Sequence, residues 1–525
     1  MILEKEYIEK ISLSHRKKFA QFFTPEPIAQ IMVNWLLGNK ELASLLEPAF
    51  GLGIFSRLFL NIKKDIKIQS FDIDPVIFTM AKQNFNGFSN VNLFLEDYLF
   101  SDWNNHYNVI ICNPPYLKFH DYENKRTVDE IKSRLKINLS GLTNIYTLFL
   151  LKSVYQLKEN GRIAYLVPSE FLNSDYGKYV KEYLLKSNTL RHIIIFDFKE
   201  NIFSEVSTTS AILLLAKDNN YKKVHFSLIE NVQQLHKIST LISGYPHVNG
   251  EFTINREDLN SNIKWRTYYQ KQTSKEYHNL IPFNYVAKVV RGIATGANDY
   301  FIFNKSRARE YQIRENYLLP CITKSKDINK PFFTKEDFQE LSKKNADIYL
   351  FNAGKNPRDQ KILNYINYGE LSGVNKKYLT SKRNPWYSLE NRTPSPIWVG
   401  VFNRTGLKFI RNEAGISNLT TFHCIYIVEN LLHKIETDLL FAYLLTDVAK
   451  QIFNDNRREY GDGLKKFEPN DLNNALMLDL SKLKEEKKRE ILDLFAEYRK
   501  SVINNNENIF LVDTIDKIFK SEYKI

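Results

Sequence analysis

The sequence predicts an α/β fold, with a largely parallel sheet in the N-terminal half and a mixed α/β domain after it. Three observations support this prediction. Four short apolar runs lie within residues 44–112, helical patterns separate them, and each run ends in a glycine or a polar residue. Because the carboxyl ends of parallel strands share one edge of a sheet, we expect these residues at the edge where ligands bind.

The first predicted element is an amphipathic helix that begins at Thr24-Pro25. Apolar residues recur at positions 28, 31, 32, 35 and 36, which is the spacing of one helical face. A proline at the first helical position is typical of a helix start. We expect Phe22, Phe23 and Thr24 to lie where this helix meets the sheet.

A strand, a glycine turn and a helix start follow in residues 44–60. The turn runs from Glu47 to Gly53 and contains Gly51, and its glycines let the backbone approach a ligand closely. It lacks the third glycine of the pyrophosphate-binding G-x-G-x-x-G pattern and the lysine of a P-loop. A glycine turn after a strand is compatible with a cofactor site but is not specific by itself.

The second and third apolar runs end in acidic residues. Asp72 stands where doubly wound folds bond ribose hydroxyls, and Asp74, just before a proline, is predicted to cap the next helix. Asp97 is suited to accept a hydrogen bond from an adenine amino group. Tyr98 or Ile73 is expected to flank that ring.

The fourth run, Val109–Cys112, leads into Asn113-Pro114-Pro115-Tyr116. This tetrapeptide suits the methylation of a planar amine, whose lone pair is delocalised. The Asn113 side-chain oxygen and the Pro114 carbonyl supply acceptors for the two N–H groups. The prolines fix φ and donate no competing N–H, and the Tyr116 ring offers a stacking face. A simple strand-ending turn is the alternative interpretation, and the preceding chain favours the amine site.

In this order the segments resemble the gamma class of S-adenosylmethionine-dependent DNA amino-methyltransferases, the modification enzymes of restriction systems. The matching segments are FFTP (22–25), LLEPAFGLG (45–53), FDIDP (71–75), LEDYLF (95–100), NPPY (113–116) and NGRIAYLVPSEFL (160–172). Two later segments, RGIATGANDYFI (291–302) and REYGDGLKKFEPNDL (458–472), are similar to parts of this family's target-recognition domain. The resemblance covers nearly the whole chain, and the early FFTP and late recognition domain are typical of the gamma class.

The resemblance implies a Rossmann-like, S-adenosylmethionine-dependent methyltransferase sheet within a catalytic domain at residues 1–245. It also implies a mixed α/β target-recognition domain at residues 246–525, of which we interpret residues 246–285 as a connecting segment. The residues implied for the cofactor are Phe22, Phe23, Thr24, Glu47, Pro48, Ala49, Gly51, Gly53, Asp72, Ile73, Asp97 and Tyr98.

The implied reaction is methyl transfer to adenine N6 in a short duplex recognition sequence by base flipping, which protects DNA from a cognate endonuclease. The implied catalytic residues are Asn113, Pro114, Pro115, Tyr116 and Phe203. Phe203 matches the aromatic residue that stacks on the flipped base, although a core phenylalanine at a strand start is an alternative. No metal is required.

Several other activities share the Asn-Pro-Pro-Tyr pattern. Cytosine-N4 DNA methyltransferases are one alternative, although that chemistry more often resembles a Ser-Pro-Pro pattern. Protein-glutamine and ribosomal RNA guanine methyltransferases are others, and they generally lack a basic C-terminal domain of this size. A fused nuclease is not indicated, because only about twenty residues precede the FFTP segment and no paired-carboxylate-plus-lysine cluster stands out.

Composition indicates an ordinary globular protein of two or three domains, with 525 residues, 43% hydrophobic and 25% charged. Three distant cysteines indicate neither a disulfide framework nor a zinc site. Because we find neither a signal peptide nor a membrane-length apolar run, we expect a bacterial cytoplasmic protein.

The net charge of +13 is unevenly distributed. Residues 1–250 hold 29 Lys and Arg against 25 Asp and Glu, and residues 251–525 hold 44 against 35. A basic balance fits phosphate contacts to double-stranded DNA, although lysine-rich coding in AT-rich genomes is an alternative cause. The residues expected to contact DNA are Arg291, Thr295, Gly296, Asn298, Lys382, Arg383, Arg404, Lys465 and Lys466. We expect a monomer on DNA, with the endonuclease as a functional partner.

Overall fold

A computed structural model describes residues 2–119, 121–174, 176–196, 210–247, 249–270, 277–390, 392–403, 407–428, 435–455, 458–459 and 465–524. The chain forms two compact units, which divide between Lys271 and Gln272. Each unit has its own hydrophobic clusters.

The first unit is organised around a sheet that has nine strands within the described residues. The strands are β1 (Ser44–Glu47), β2 (Lys67–Asp72), β3 (Val91–Leu95), β4 (Tyr107–Cys112), β5 (Leu157–Pro168), β6 (Leu190–Phe196), β7 (Ser210–Ala216), β8 (Lys223–Ile229) and β9 (Phe252–Asn255). Their spatial order is β3-β2-β1-β4-β5-β7-β6-β8-β9. Strands β1 to β5 pair in parallel, whereas β7 is antiparallel to both β5 and β6.

Helices cover both faces of this sheet. They are α1 (Ile2–Lys10), α2 (Leu13–Lys18), α3 (Glu26–Leu37), α4 (Ile54–Leu60), α5 (Pro75–Asn84), α6 (Asn124–Leu135), α7 (Ile145–Tyr155), α8 (Gly177–Lys186), α9 (Leu235–Ser243) and α10 (Arg266–Tyr269). Side chains of a strand alternate between faces, so Leu45 and Ile111 pack in one cluster with α3, and Leu46 and Ile110 pack in another with α7. Burial on both faces explains why the central strands β4, β6 and β7 are buried at every residue and are largely apolar.

The sheet extends past residue 245, where we drew the domain boundary from the sequence. Strand β9 pairs antiparallel with β8, and Trp265 packs in the same cluster as Phe226 of β8. Residues 246–285 are therefore not simply a connecting segment, because their first part completes the first unit. Local sequence signals are weak here, since β9 is short and only partly buried.

The second unit is mixed α/β, as the sequence predicts. Its strands are β10 (Leu280–Pro282), β11 (Ala287–Arg291), β12 (Ile302–Phe303), β13 (Leu318–Ile322), β14 (Phe332–Phe333), β15 (Tyr349–Phe351), β16 (Ile397–Gly400), β17 (Phe402–Asn403), β18 (Phe409–Asn412), β19 (Ser417–Asn418), β20 (Phe422–Ile427), β21 (Arg458–Glu459), β22 (Lys465–Lys466) and β23 (Leu476–Leu478). Among its described residues, the largest sheet of this unit has five strands, in the order β11-β20-β16-β18-β14.

Helices of the second unit supply much of its apolar core. The described helices are α11 (Asn298–Phe301), α12 (Lys305–Glu310), α13 (Lys335–Lys343), α14 (Gln360–Leu371), α15 (Thr437–Leu445), α16 (Asp447–Asn454), α17 (Pro469–Asn473), α18 (Glu485–Ile503) and α19 (Ile509–Tyr523). The main cluster joins apolar residues of α15, α16, α18 and α19 to the five-stranded sheet. Within the described ranges, no helix has the length and apolar character needed to cross a membrane.

Candidate functional site

A cavity lies at the carboxyl ends of β1, β2 and β4, where the sequence places its candidate ligand-binding residues. It encloses about 940 Å³, including the volume open to solvent. Most of the predicted cofactor residues line it: Phe22, Phe23, Thr24, Glu47, Pro48, Ala49, Gly51, Asp72, Ile73, Asp97 and Tyr98. Asn113 and Pro115 line the same cavity. One site therefore combines residues that are up to 93 positions apart in the sequence.

The glycine turn after β1 contributes to the site through Gly51. Its φ is +57°, and its backbone N–H donates to Asp72 Oδ2 over 2.9 Å. Gly53 lies outside the cavity lining, contrary to our expectation. It begins α4 at φ +71°, and a Cβ there would be 2.5 Å from the Phe50 ring. Gly53 thus serves the turn and its packing, which the sequence pattern alone does not separate from ligand contact.

Glu47 is a fully buried carboxyl group at the end of β1. The Ser56 hydroxyl donates to its Oε2, whereas its Oε1 has no hydrogen-bond partner among the described residues. Burial raises the pKa of Glu47 to about 8. An acceptor that lacks a donor inside a buried site fits a cationic ligand group, such as the ammonium of a methionine moiety.

Asp72 and Asp74 have different roles, and Asp74 caps the next helix as the sequence predicts. Asp74 Oδ1 accepts from the Val76 N–H over 3.1 Å and thereby caps α5. Asp72 Oδ1 accepts from the Asp74 N–H over 3.0 Å, and burial raises the pKa of Asp72 to about 6. The Asp72 carboxylate therefore braces the turn as well as lining the cavity.

Asp74 also forms hydrogen bonds to residues 7–21 of the N-terminal segment. The sequence did not predict these contacts. Asp74 Oδ2 accepts from Gln21 Nε2 over 2.6 Å, from His15 Nε2 over 2.8 Å and from the Tyr7 hydroxyl over 3.4 Å. Burial opposes ionisation, but the hydrogen bonds outweigh it and lower the pKa of Asp74. Residues 19–24 thus form one wall of the cavity.

The turn after β3 presents Asp97 to the cavity. Asp97 Oδ1 accepts from the Leu99 N–H over 2.9 Å, and burial raises its pKa. Tyr98 is almost fully buried, and its hydroxyl donates to Gln156 Oε1 over 2.6 Å. Only part of Tyr98 therefore borders the ligand space, whereas Ile73 is 53% exposed and lines it.

Lys152 of α7 stabilises this turn by donating hydrogen bonds to its backbone. Its ammonium is fully buried, donates to the carbonyls of Tyr98 and Ser101, and lies 4.0 Å from the centroid of the Tyr98 ring. Burial lowers the pKa of Lys152 to about 7. The signal that we missed is a lysine in the middle of the otherwise apolar helix IYTLFLLKSVY.

The Asn113 amide is held by the segment that precedes α3. Its Nδ2 donates to the Phe22 carbonyl over 2.9 Å and to Thr24 Oγ1 over 3.0 Å. A backbone carbonyl only accepts, so this contact fixes which end of the amide is nitrogen. Asn113 Oδ1 has no donor among the described residues, so it is the atom of this side chain that can accept a hydrogen bond from a ligand.

The rest of the tetrapeptide is positioned by packing. Pro114 is buried, and the Tyr116 hydroxyl donates to the Leu166 carbonyl over 3.3 Å. The Tyr116 ring lies nearly parallel to the Phe22 ring, at an angle of 22° with centroids 6.5 Å apart. Burial raises the pKa of Tyr116 well above its ordinary value, so its hydroxyl is neutral and serves as a donor.

A polar network holds the chain that follows the tetrapeptide. Asn144 Oδ1 accepts from the Phe119 N–H over 3.1 Å, and its Nδ2 donates to Glu170. The Tyr176 hydroxyl donates to Glu170 Oε1 over 2.8 Å and lies 2.7 Å from the Tyr146 hydroxyl. None of these side chains stands out in the sequence, because they come from separate segments.

Several residues expected to contact DNA have internal partners in the second unit. Arg383 donates to the carbonyls of Ala294 and Thr295, the latter over 2.9 Å. Thr295 is buried and bonds Asn298, and Arg291 lies 3.7 Å from Glu468. Gly296 has φ +77° and packs against Leu379, whereas Lys382 is exposed. Phe203 and Arg404 lie outside the described residues, as do the side chains of Lys465 and Lys466.

Two protein-family profiles match the chain. The profile described as Eco57I restriction-modification methylase matches residues 36–203. The profile described as the C-terminal domain of the type II methyltransferase M.Eco57I matches residues 265–518. The first match lies within the first compact unit, and the second lies mostly within the second unit.

Individual proteins are similar over nearly the full length. The type II methyltransferase M.AccI of Acinetobacter calcoaceticus is 56% identical over 99% of this chain and 96% of its own length. The type II methyltransferase M.XamI of Xanthomonas campestris pv. amaranthicola is 23% identical over 90% of this chain and 87% of its own. Among solved structures, the DrdV–DNA complex aligns with a TM-score of 0.55 at 12% identity, over 94% of this chain and 58% of the DrdV chain, a likeness of fold alone.

Proposed function

This chain belongs to the type II methyltransferase family, and on that premise we propose that it methylates adenine N6 in a short duplex DNA sequence. The proposed methyl donor is S-adenosylmethionine. The proposed role is protection of DNA from a cognate endonuclease in the cytoplasm of a bacterium. We propose that the first unit carries the catalytic site and the second unit recognises the target sequence.

The observation that carries this proposal is the orientation of the Asn113 amide. Because Nδ2 is bonded to Phe22 and Thr24, the side chain offers an acceptor to whatever enters the cavity. A planar exocyclic amine brings two N–H donors, and the Pro114 carbonyl is the second acceptor proposed. Two acceptors placed out of the plane of the amine favour a tetrahedral nitrogen, which has an available lone pair.

The cavity supports S-adenosylmethionine as the donor. Glu47 Oε1 is proposed to accept from the ammonium group, Asp72 from the ribose hydroxyls and Asp97 from the adenine amino group. Ile73, which is half exposed at the cavity, is proposed to pack on the adenine ring. When bound, this cofactor supplies an electrophilic methyl group whose bond to sulfur breaks as the bond to the target nitrogen forms.

Alignment is the main contribution that we propose for the chain's own residues. Asn113 and Pro114 hold the target nitrogen in line with the methyl group, which is the effect of an entropy trap. Neither group is a base, so the surplus proton of the methylated amine passes to water. A stacked base is out of reach of such a site, so the target must flip out of the duplex. Tyr116, and Phe203 on the other side, are proposed to stack on it.

Sequencing of methylated DNA tests the function directly. Plasmid DNA from cells that express the chain is examined by single-molecule sequencing and by mass spectrometry of its nucleosides. We expect N6-methyladenine at one short sequence, and none in DNA from cells that express Asn113→Ala. Detection of N4-methylcytosine in place of N6-methyladenine would show that cytosine is the target base. Unmodified DNA together with methylated RNA or protein would overturn the proposal.

A further inference from the structure

One loop of the second unit exposes two large apolar side chains, Tyr378 and Leu379. We call residues 374–383 the Tyr378 loop. The side chain of Tyr378 is 74% exposed, Leu379 is 38% exposed, and the neighbouring Leu371 at the end of α14 is 81% exposed. Clustered exposed apolar residues of this size mark a binding surface more often than single ones do.

The charged residues of the Tyr378 loop are all basic. Residues 374–383 contain Lys376, Lys377, Lys382 and Arg383 and no aspartate or glutamate. The three lysines are exposed, and Lys382 Nζ lies 3.7 Å from the centroid of the Tyr378 ring. This combination of cations and an exposed ring suits a polyanion that also has apolar groups for the ring to contact, such as sugars.

Internal contacts brace the loop despite its exposure. Thr380 is fully buried, and its hydroxyl contacts the carbonyls of Val374 and Lys377. The Arg383 guanidinium donates to the carbonyls of Ala294 and Thr295, which ties the loop to the segment after β11. A Cβ on Gly296 would be only 2.7 Å from the Leu379 Cβ, so this glycine permits the close approach. A braced loop presents its tip without a large ordering cost on binding.

We propose that the Tyr378 loop is a duplex DNA contact of the second unit. In this proposal Lys376, Lys377 and Lys382 neutralise phosphates, and the Tyr378 ring packs against a deoxyribose or a base edge in a groove. Arg383 acts on the loop and not on DNA. The inference rests on the proposed function, because DNA is the polyanion on which that function acts. The three exposed lysines and the absence of an acidic residue suit a phosphate-lined partner, and DNA is the phosphate-lined polymer of the proposed function.

The test compares two exposed aromatic side chains of the second unit. Tyr378→Ala removes the loop's ring, and Tyr378→Phe keeps it. The matched control is Phe510→Ala on α19, where Phe510 is 65% exposed and Lys517 Nζ lies 5.6 Å from its ring. Binding of the full-length chain to a duplex of roughly 30 base pairs that contains the sequence found by methylation mapping is measured by fluorescence anisotropy. We expect Tyr378→Ala to weaken binding by roughly 10-fold, as the loss of a central aromatic interface residue does, and both other variants to stay within about 2-fold.

Salt dependence tests the lysines. The double variant Lys376→Ala, Lys377→Ala should reduce the slope of log affinity against log salt by roughly 2, because each phosphate that a lysine neutralises adds about 0.9 to that slope. Lys517→Ala should leave the slope unchanged. Unfolding temperature and cofactor affinity of every variant show that the fold is intact, and Tyr378 is exposed enough that its truncation should not affect them.

Two failures are distinguishable. The loop assignment would be overturned if all loop variants kept the wild-type DNA affinity and the wild-type salt slope of that affinity. If the enzyme still methylated its sequence, the proposed function would stand. Capture of a protein by the loop with unchanged DNA affinity would overturn it as well. A wild-type chain that methylates no adenine in DNA would instead refute the proposed function.

Discussion

At the residue scale, the chemistry of this site depends on which atom of a side chain is already engaged. Asn113 is bonded through Nδ2 to Phe22 and Thr24, so its oxygen remains as an acceptor, and we propose that the target amine donates to it. Glu47 is bonded through one oxygen to Ser56, so its other oxygen is left for a ligand. In both cases a neighbouring hydrogen-bond partner selects the functional atom.

Substitutions at Asn113 and Thr24 test this selection. Asn113→Ala should lower the single-turnover rate of methylation by roughly 100-fold or more, because a preorganised polar partner of the reacting group is removed. Thr24→Val should lower the rate less, because the Phe22 carbonyl still holds the amide, and Thr24→Ser should retain it. Transfer of tritiated methyl groups measures the rate, and affinity for DNA should change little. An active Asn113→Ala enzyme would contradict the assignment.

Proton release on cofactor binding tests Glu47. Its pKa is raised to about 8, so it is largely protonated at pH 7 in the free protein, and a bound ammonium group favours its ionised form. Binding at pH 7 should therefore release up to one proton, and the cofactor affinity should rise as pH increases toward 8. Calorimetry in buffers of different ionisation enthalpy measures the release. Glu47→Gln should abolish it and weaken binding, and an unchanged release in that variant would contradict this role.

The same shift has a consequence for stability without cofactor. A carboxyl whose pKa is raised in the folded state favours folding in its protonated form, so its contribution is lost as pH rises from its unfolded value toward about 8. Glu47→Gln should therefore flatten the fall in free energy of unfolding between about pH 5 and 8. Denaturant unfolding at several pH values measures this, and an equal slope in both proteins would refute it.

At the element scale, the strand–turn–helix units around β1 and β2 follow from local patterns. The positions of β1 to β4, the glycine turn and the Asp74 cap all agree with the predictions from the sequence. Local signals were sufficient because buried parallel strands are apolar throughout and helix starts have fixed chemistry. Strands β8 and β9 were missed, because polar residues interrupt the apolar ones in KVHFSLI and FTIN and neither segment forms a continuous apolar run.

Two glycines provide a matched test of the turn. Gly53→Ala should lower the free energy of unfolding by about 2 kcal/mol, because it combines a φ of +71° with a Cβ 2.5 Å from the Phe50 ring. Gly87 has nothing within 4 Å of an added Cβ and no positive φ, so Gly87→Ala should be neutral or slightly stabilising. Equal effects in denaturant unfolding would contradict the structural explanation of Gly53.

Lys152 links α7 to the turn after β3. Lys152→Met removes the donor to the Tyr98 and Ser101 carbonyls and should weaken cofactor binding by roughly 10-fold, because the Asp97 turn loses its support. Affinity for duplex DNA should be retained. Lys158→Met, at an exposed position of β5, is the control. Wild-type cofactor affinity in Lys152→Met would show that the turn keeps its shape without this cation.

At the scale of the whole molecule, the two units differ in charge and in kind of site. Residues 1–250, which include all the residues that line the cavity, carry a net charge of +4 (29 basic against 25 acidic residues), whereas residues 251–525 carry +9 (44 against 35). Small-molecule binding in a cavity depends on local contacts, and binding of a polyanion depends on counterion release. The two binding events should therefore respond differently to salt.

Salt titration of the intact chain tests this difference. Affinity for duplex DNA should fall by about 10³-fold or more between roughly 50 and 200 mM salt, if about six or more phosphates are contacted. Affinity for the cofactor should change by less than about 3-fold over the same range, because its contacts are few and enclosed. A similar salt dependence of affinity for DNA and for the cofactor would contradict the proposal that the two ligands bind at sites of different kind.

The sequence by itself determined strands β1 to β4, the starts of α3 and α5, and the types of residue at the ligand-binding edge. These follow from short-range patterns, because strand burial, helix capping and turn geometry involve residues that are close in the chain. For the same reason the Asn-Pro-Pro-Tyr segment could be located at the end of β4 without coordinates.

Only the tertiary structure decided which atoms are engaged and which remain available. Phe22 and Thr24 orient Asn113 from 91 and 89 positions away, and Lys152 supports Tyr98 from 54 positions away. It also placed Arg383 in a bracing role and left Tyr378 exposed. Hydrogen-bond partners between distant segments are set by how whole elements pack, and residue type and local spacing do not encode that packing.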